Sequence, residues 1–371
     1  MKNQLAQSYE GKKVFVTGNT GFKGSWLCAW LLSLGADVAG YSLDVPSKPS
    51  NYEVLGLEGH IKQYWGDIRD REKLDQAMED YKPDVVFHLA AQALVRSSYE
   101  EPALTFETNA LGTLNVLECL RKRPEIKAAV IITSDKCYRN VEWEWGYREN
   151  DRLGGEDPYS GSKGCAELIF YSYYESFFKQ MSQGPKIATA RAGNVIGGGD
   201  WAKDRIIPDC VRSWSENKEV VIRNPMATRP WQHVLEPLSG YLWLGSQLME
   251  NKPAVAGASY NLGPDASVDH TVETLLTSFG KSWSAAHWTI DQQSLEQKPE
   301  ARLLKLACDK ALSELQWSAA LSFDETVRFT SSWYATFYGQ EQKDMFAFTV
   351  HQINDYQEQA QSKKIVWSCE S

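Results

Sequence analysis

Short apolar runs alternate with segments of helical periodicity through the first half of the chain. The runs cover residues 12–17, 37–43, 84–89, 128–133 and 186–191, and the helical segments include residues 26–34, 70–81, 104–121 and 162–179. Strands that are apolar throughout and separated by helices are typical of a parallel sheet covered on both faces. The pattern therefore predicts a doubly wound α/β domain.

The alternation stops near Asn194. A triple glycine at 197–199 and a proline-punctuated stretch up to Pro237 predict loops, and residues beyond Gly339 are polar with weak helical spacing. We expect three parts: a sheet domain formed by 11–193 and 231–262, a smaller C-terminal domain formed by 194–230 and 263–340, and a C-terminal appendage over 341–371.

The composition excludes several classes of protein. The chain has 371 residues, 43% hydrophobic and 23% charged, which is typical of a globular protein. A formal net charge of −9 argues against a nucleic-acid or anionic-membrane surface, and no apolar run approaches the roughly 18 residues of a membrane span. Seven dispersed cysteines and six scattered histidines predict reduced thiols and no metal centre. Since the first residues also lack an export signal, we expect a cytoplasmic protein.

A glycine-rich loop lies between the first predicted strand and the first predicted helix. Gly18, Gly21 and Gly24 follow a G-x-x-G-x-x-G pattern, which permits a tight turn and close approach of a pyrophosphate to the backbone. The alternative is a plain glycine-rich turn, but the strand–turn–helix context favours a dinucleotide site. The predicted contacts are Gly18, Thr20, Gly21, Phe22, Lys23 and Gly24.

Residues at the ends of later strands complete the predicted dinucleotide site. Asp44 ends the second strand, where a carboxylate can accept hydrogen bonds from the adenosine ribose and would repel a 2′-phosphate. This position favours NAD over NADP, although an Asp in a solvated loop is the simpler reading. Further contacts are expected from Asp67 and Ile68 after the third strand, and from Leu89, Ala90 and Ala91 at the end of the fourth.

Two groups of polar residues carry the predicted chemistry. Tyr159 and Lys163 form a Y-x-x-x-K pair on one helix face, where the ammonium is expected to lower the Tyr pKa from ~10. Ser134, Asp135 and Lys136 directly follow the fifth strand, at the edge of the sheet where doubly wound folds bind ligands. Lys163 can also hydrogen-bond the nicotinamide ribose.

Five longer blocks resemble the nucleotide-sugar 4,6-dehydratases of the extended short-chain dehydrogenase/reductase family, and among them those that act on CDP-glucose. The blocks are 17–26, 133–138, 142–167, 191–209 and 223–241. The resemblance implies a Rossmann-like sheet domain that binds NAD and a smaller domain that binds the nucleotide sugar. The sequence departs from the family pattern at Asn19, where the family usually has His, and at Ala307, where the family has Asp.

The resemblance also implies a redox-neutral reaction and a role for each polar residue. A hydride leaves sugar C4 for NAD⁺, water is lost across C5–C6, and the hydride returns to C6, for dideoxyhexose and O-antigen biosynthesis. Tyr159 would be the base at the C4 hydroxyl with Lys163 as its partner, and Ser134 would hydrogen-bond the C4 oxygen. Asp135 would be the acid for the leaving C6 hydroxyl, which requires a raised pKa, and Lys136 the base at C5.

The resemblance points to Asn194, Arg229 and Arg302 as substrate contacts, whereas Arg96 is a candidate for lining the cleft. Surface ion pairing is the alternative for Arg96 and Arg302. The aromatic stretch Trp143, Trp145 and Tyr147 suits either a lid over the sugar or packing against the smaller domain.

Other functions stay open. An epimerase would need Tyr159 and Lys163 but no acid–base pair at 135–136, and a dehydratase for another nucleotide sugar is a further alternative. A non-catalytic NAD-binding protein could dispense with the tyrosine. We expect a homo-oligomer, a dimer or a tetramer, with the outward-facing residues Phe170, Tyr174 and Phe177 at its helical interface.

Overall fold

The computed structural model describes residues 3–222, 224–252, 254–265, 269–281, 283, 286–290, 304–339 and 343–370. Its strands are β1 (Lys13–Thr17), β2 (Asp37–Ser42), β3 (Lys62–Trp65), β4 (Val85–His88), β5 (Ala128–Ile132), β6 (Lys186–Ala192), β7 (Val195–Ile196), β8 (Val220–Ile222), β9 (Thr228–Arg229), β10 (Gln232–His233), β11 (Ser259–Leu262), β12 (His270–Thr271) and β13 (Trp288–Ile290). Its α-helices are α1 (Gln4–Tyr9), α2 (Phe22–Ser33), α3 (Asn51–Val54), α4 (Arg71–Tyr81), α5 (Val95–Glu100), α6 (Pro102–Phe106), α7 (Gly112–Arg121), α8 (Pro158–Ser176), α9 (Ile206–Ser215), α10 (Leu235–Met249), α11 (Val272–Gly280), α12 (Phe323–Phe337) and α13 (Met345–Ser362).

Seven strands form one parallel sheet in the order β11-β6-β5-β4-β1-β2-β3. The first strand lies inside the sheet between β4 and β2, and the strand order reverses there, between β1 and β4. Ligands of doubly wound sheets bind in the crevice at such a reversal. The predicted doubly wound parallel sheet is therefore confirmed, and its crevice lies where the glycine-rich loop follows β1.

Helices cover both faces of the sheet. One face packs against α1, α2 and α10 through side chains such as Leu5, Trp30 and Leu242. The other packs against α4, α7 and α8, with Leu74 and Val116 in its core. Each large apolar side chain buried in this way contributes about 1.5–3 kcal/mol, so the positions of the helices follow from their apolar faces.

The segment after Gly339 packs against the sheet domain. Asp344 caps α13 by accepting a hydrogen bond from the backbone N–H of Ala347 at 3.0 Å. Trp30 of α2 meets Tyr356 of α13 edge to face at 5.7 Å and Trp367 at 6.0 Å. The predicted appendage is thus an outer helical layer over α2.

Two details differ from the sequence predictions. The single helix predicted over 104–121 is interrupted by a π-helical turn at Glu107–Leu111 between α6 and α7. The expectation that Phe170 faces outward is wrong, because its side chain is 1% exposed and packs in the core beneath α8.

The described part of the chain also bears on three expected absences. No helix in it combines the length and apolar character needed to cross a membrane. None of its His, Cys, Asp and Glu residues group as metal ligands do. All seven cysteines lie within it, and they form no disulfide.

Candidate active site

The glycine-rich loop folds tightly between β1, α2 and the end of β4. Gly18 has φ +73°, and a Cβ there would lie 2.6 Å from the backbone nitrogen of Ala90, so only glycine fits. A Cβ on Gly24 would collide with the Gly18 carbonyl, and Gly21 donates its N–H to that carbonyl at 3.1 Å. The loop therefore offers a cradle that side chains do not fill, at the N-terminus of the 12-residue helix α2, which suits a pyrophosphate.

Asp44 lies beside this loop. The Thr20 hydroxyl donates to the Asp44 backbone carbonyl at 2.7 Å, and the Asp44 side chain is exposed just beyond β2. Asn19 is buried next to it, where its Oδ1 accepts from the Ser42 hydroxyl at 2.8 Å and its Nδ2 donates to Gln63 at 2.7 Å. The loop and the end of β2 are thereby held together, with the Asp44 carboxylate available to a ribose.

The other predicted cofactor residues lie along the same edge of the sheet. Asp67 binds the Arg69 guanidinium at 2.6 Å; burial raises the pKa of its carboxyl, but Arg69 outweighs that effect and holds the pKa below its usual value. Ile68 is buried, with its backbone carbonyl bonded to Asn115. Leu89, Ala90 and Ala91 are half-buried at the end of β4.

Ser134, Asp135 and Lys136 form a tight turn directly after β5. The Ser134 hydroxyl donates to Asp135 Oδ1 at 2.9 Å and accepts from the Lys136 backbone N–H at 3.2 Å. The Asp135 side chain is buried, which raises the pKa of its carboxyl against the opposing effects of Lys136 and Ser134. The raised pKa that an acid role requires is confirmed in direction.

Tyr159 and Lys163 lie in the first two turns of α8, which Asp157 caps by accepting from the Ser160 backbone N–H at 2.9 Å. Both side chains are more than 90% buried. Burial raises the pKa of Tyr159 to about 12, and a hydrogen bond with Ser134 opposes this rise. Burial lowers the pKa of Lys163 to about 8. The expectation of a lowered Tyr159 pKa is therefore wrong for the protein alone, because the loss of solvation exceeds the effect of neighbouring charge.

The structure adds Arg205, which the sequence analysis missed, to this site. Arg205 precedes α9 and forms an ion pair with the buried Asp200 at 2.9 Å. Its charge acts on Tyr159 and on Lys23, and burial together with this charge lowers the pKa of Lys23 to about 8. A cation immediately before a helix, in the run DRIIPD, was the available signal. Lys23, Lys163 and Arg205 thus bring three basic side chains to the crevice, where Asp135 and Asp200 are their acidic neighbours.

The predicted substrate residues are less closely grouped. Arg229 is half-buried on β9 and donates to the Thr228 carbonyl at 2.7 Å, and Asn194 is half-buried between β6 and β7. Arg96 is 66% exposed and forms an ion pair with Asp204. Arg302 lies outside the described residues.

A buried polar network, also missed, supports the turn after β5 from behind. Glu167, one helical turn after Lys163, binds the Arg191 guanidinium at 2.7 Å and accepts from the Thr133 hydroxyl. Arg191 in turn donates to the Tyr138 hydroxyl at 2.7 Å. This network joins α8, β5 and β6, and so fixes the turn after β5 relative to the helix that carries Tyr159 and Lys163.

The aromatic stretch divides between core and surface. Tyr147 is buried and stacks on Tyr138 at 5.4 Å and on Trp143 at 5.5 Å. Its backbone N–H donates to the Lys305 carbonyl at 2.8 Å, whereas Trp145 is 62% exposed. Tyr147 therefore packs in the interior and pairs with the segment of the smaller domain at Lys305, whereas Trp143 and Trp145 lie at the surface.

Comparison with known proteins agrees with this geometry. The family model described as GDP-mannose 4,6-dehydratase matches residues 15–330. A CDP-glucose 4,6-dehydratase of Salmonella typhimurium (strain LT2) is 47% identical over 94% of this chain and 97% of its own length. An epimerase of Methanothermobacter thermautotrophicus has a TM-score of 0.74 at 25% identity, covering 90% of this chain and 94% of that chain. A dTDP-glucose 4,6-dehydratase of Bacillus anthracis, solved with NAD, has a TM-score of 0.69 at 21% identity, covering 87% and 96%. The chain therefore belongs to the GDP-mannose 4,6-dehydratase family.

Proposed function

We propose that this protein is a CDP-glucose 4,6-dehydratase that converts CDP-D-glucose to CDP-4-keto-6-deoxy-D-glucose. The observation that carries the proposal is the buried turn Ser134-Asp135-Lys136, in which Ser134 hydrogen-bonds Tyr159 and Asp135 has a raised pKa. A 4,6-dehydration needs a base for the C4 hydroxyl, a base for the C5 proton and an acid for the C6 hydroxyl, and this turn with Tyr159 provides candidates for all three. The choice of CDP-glucose rests on the 47% identical relative.

NAD is the cofactor. The cradle of Gly18, Gly21 and Gly24 at the start of α2 fits its pyrophosphate, and the exposed Asp44 fits a ribose with free hydroxyls. When bound there, NAD would supply a reversible hydride acceptor for C4 and C6, so the reaction would need no external oxidant.

Tyr159 acts on the C4 hydroxyl. With a pKa of about 12 in the protein alone, its phenol is protonated at neutral pH and needs added positive charge to accept a proton. Below about pH 8 Lys163 is charged and supplies part of that effect from the next turn of α8. When the sugar is bound, the Ser134 hydroxyl turns its one hydrogen from Asp135 to the C4 oxygen and keeps that oxygen next to Tyr159.

Asp135 and Lys136 carry out the elimination. The C4 ketone acidifies the C5 proton, which passes to Lys136, while the carboxyl proton of Asp135 passes to the departing C6 oxygen. The alternative for Lys136 is that it stays charged and stabilises the C5 enolate. Lys136 is half-buried in the turn after β5, and this position is compatible with either role.

Cations around the crevice bind the diphosphate. Arg229 from the smaller domain supplies a planar donor pair, and Arg302 supplies a second. Lys23 from the sheet domain and Arg205 from the smaller domain add positive charge. Asn194 contacts the sugar. Arg96 is the weakest of these assignments because Asp204 already pairs with it at the surface.

The assembly and the biological setting complete the proposal. We retain 11–193 with 231–262 as the NAD-binding domain and 194–230 with 263–340 as the nucleotide-sugar domain. A homo-oligomer forms through the exposed apolar face of the helices α5 to α8, which presents Tyr99, Phe106, Leu111, Leu168 and Tyr171. The enzyme is cytoplasmic, and its product serves dideoxyhexose synthesis for surface polysaccharide, as the family resemblance implies.

Incubation with CDP-, dTDP-, GDP- and UDP-glucose and detection of the 4-keto-6-deoxy product tests the proposal. CDP-glucose is expected to react fastest, with catalytic NAD⁺ and no net reduction of it. Interconversion of 4-epimers without loss of water would instead establish an epimerase, and net accumulation of NADH would establish a simple dehydrogenase.

A further inference from the structure

A small cavity lies next to the Asp135 carboxyl. It has a volume of about 10 Å³, which matches a single water molecule. Its lining includes Asp135 after β5, Gly193 after β6, Gly263 after β11, and Gln232 and Leu306. A Cβ on Gly193 would lie 2.8 Å from Asp135 Oδ2, so the glycine leaves that oxygen accessible from the cavity.

Gln232 brings an unpartnered oxygen to this cavity. Its side chain is 2% exposed, and its Oε1 has no hydrogen-bond partner among the residues that the structure describes. The rest of the residue is held firmly: Nε2 donates to the Leu262 carbonyl at 3.2 Å, and the backbone N–H donates to the Asn194 carbonyl at 3.2 Å. A buried amide oxygen without a partner is costly, which points to a hydrogen-bond donor that occupies the cavity during function.

We infer that Gln232 Oε1 accepts the hydrogen of the sugar's C6 hydroxyl and orients that group for protonation by Asp135. The inference rests on the proposed dehydratase function. A cavity of one-water size suits the C6 oxygen, first as a hydroxyl and then as the departing water. With its hydrogen directed to Gln232, the oxygen turns a lone pair towards the Asp135 carboxyl.

The elimination then balances as follows. The C5–H electron pair forms the C5–C6 double bond while the C5 proton passes to the base. The C6–O bond breaks with its electrons on oxygen, and the proton from Asp135 joins that oxygen to give water. As the C6 oxygen becomes protonated, its hydrogens become more acidic, and the hydrogen bond to Gln232 Oε1 strengthens. Because this bond is stronger in the transition state than in the ground state, it raises the rate of elimination and has little effect on substrate binding.

The test uses Gln232→Met, which keeps the length of the side chain and removes the acceptor, and two substrates. In single turnovers with CDP-glucose, elimination is expected to slow about tenfold to a hundredfold, with KM changed less than about threefold. With CDP-6-deoxy-6-fluoroglucose the leaving group carries no hydrogen for Gln232, so wild type and variant should react at the same rate. Gln232→Glu, which retains an acceptor, should be faster with CDP-glucose than Gln232→Met.

Gln247→Met is the matched control, because Gln247 on α10 is also 2% exposed with an unpartnered amide atom in the described structure but does not line the cavity. It should leave elimination from both substrates unchanged. Equal slowing of both substrates by Gln232→Met, or no slowing of either, would overturn the inference. If Gln232→Met does not fold, comparison of Gln232→Leu, which also lacks an acceptor, with wild type on the two substrates decides the question in the same way, since only a role at the hydroxyl makes the substrates differ. A wild type inactive on every nucleotide sugar would refute the proposed function instead.

Discussion

Replacement of the buried Glu236 with glutamine is expected to flatten the dependence of stability on pH between about pH 5 and 8. Glu236 opens α10 and is 1% exposed. Its carboxylate accepts the backbone N–H groups of Ala320 at 2.9 Å and Leu321 at 2.6 Å, and the Tyr356 hydroxyl at 2.7 Å. It therefore joins α10, the segment before α12, and the C-terminal helix α13.

The magnitude follows from the pKa of this carboxyl. Burial raises the pKa of Glu236 from 4.5 to about 7, despite the hydrogen bonds from Leu321, Ala320 and Tyr356. The folded protein thus binds the proton more tightly than the unfolded chain. Its contribution to stability is complete below about pH 4.5 and is lost as the pH rises through 7. A pKa change of this size corresponds to about 3 kcal/mol.

Urea unfolding of wild type and Glu236→Gln, at intervals between pH 4.5 and 8, measures the effect. The variant carries no titrating proton, so the difference in unfolding free energy should change by about 3 kcal/mol in favour of the variant as the pH rises. Glu325→Gln is the control. Glu325 also contacts Lys363, at 3.8 Å, but the Ser322 backbone N–H and hydroxyl outweigh the effect of burial and lower its pKa, so its difference from wild type should stay constant above pH 5. Parallel stability curves for wild type and Glu236→Gln would refute the reasoning.

Three further predictions concern the proposed reaction. Tyr159→Phe should bind CDP-glucose normally in calorimetry but react ~10²–10⁴-fold more slowly, and near-native turnover would show that the tyrosine is structural. Arg229→Ala should raise KM about tenfold or more with little change in kcat, because diphosphate binding is common to ground and transition states; steady-state kinetics that show the opposite split would contradict this role. Lys136→Met should still oxidise C4 but lose exchange of the C5 proton with deuterated solvent, followed by mass spectrometry, and exchange at the wild-type rate would exclude Lys136 as the base.

The sheet was predictable because its strands are local features. Each of β1, β2, β4, β5 and β6 is a short and mainly apolar run, and burial on both faces of the sheet favours such runs. The location of the ligand site followed from the same argument, since the carboxyl ends of parallel strands lie at one edge of the sheet. The glycine-rich loop and the turn after β5 could therefore be assigned to one crevice from the sequence alone.

The parts that the sequence did not reveal depend on contacts between distant segments. Arg205 joins the site because Asp200 holds it there at 2.9 Å. Gln232 joins it because the short pairing of β10 with β7 sets it opposite Val195, next to the cavity that Asp135 and Gly193 also line. Neither residue lies in a periodic element that signals its neighbours. In the sequence, Gln232 cannot be distinguished from an exposed polar loop residue, because its burial and the cavity that it lines depend on the folded structure.

The pKa of Tyr159 is a second property that the sequence did not reveal, because it depends on the burial of the side chain. The i, i+4 spacing correctly placed Lys163 one helical turn from Tyr159. A nearby ammonium by itself would lower the pKa of the phenol. Burial is a property of the whole fold, and it moves both groups towards neutrality: the pKa of the phenol rises to about 12 and that of the ammonium falls to about 8. With a pKa of about 12, Tyr159 stays protonated at neutral pH in the protein alone, and added positive charge nearby would favour its phenolate. The crevice lined by the glycine-rich loop is the one that a dinucleotide would enter, so the positive charge of its oxidised ring would oppose the effect of burial on this tyrosine.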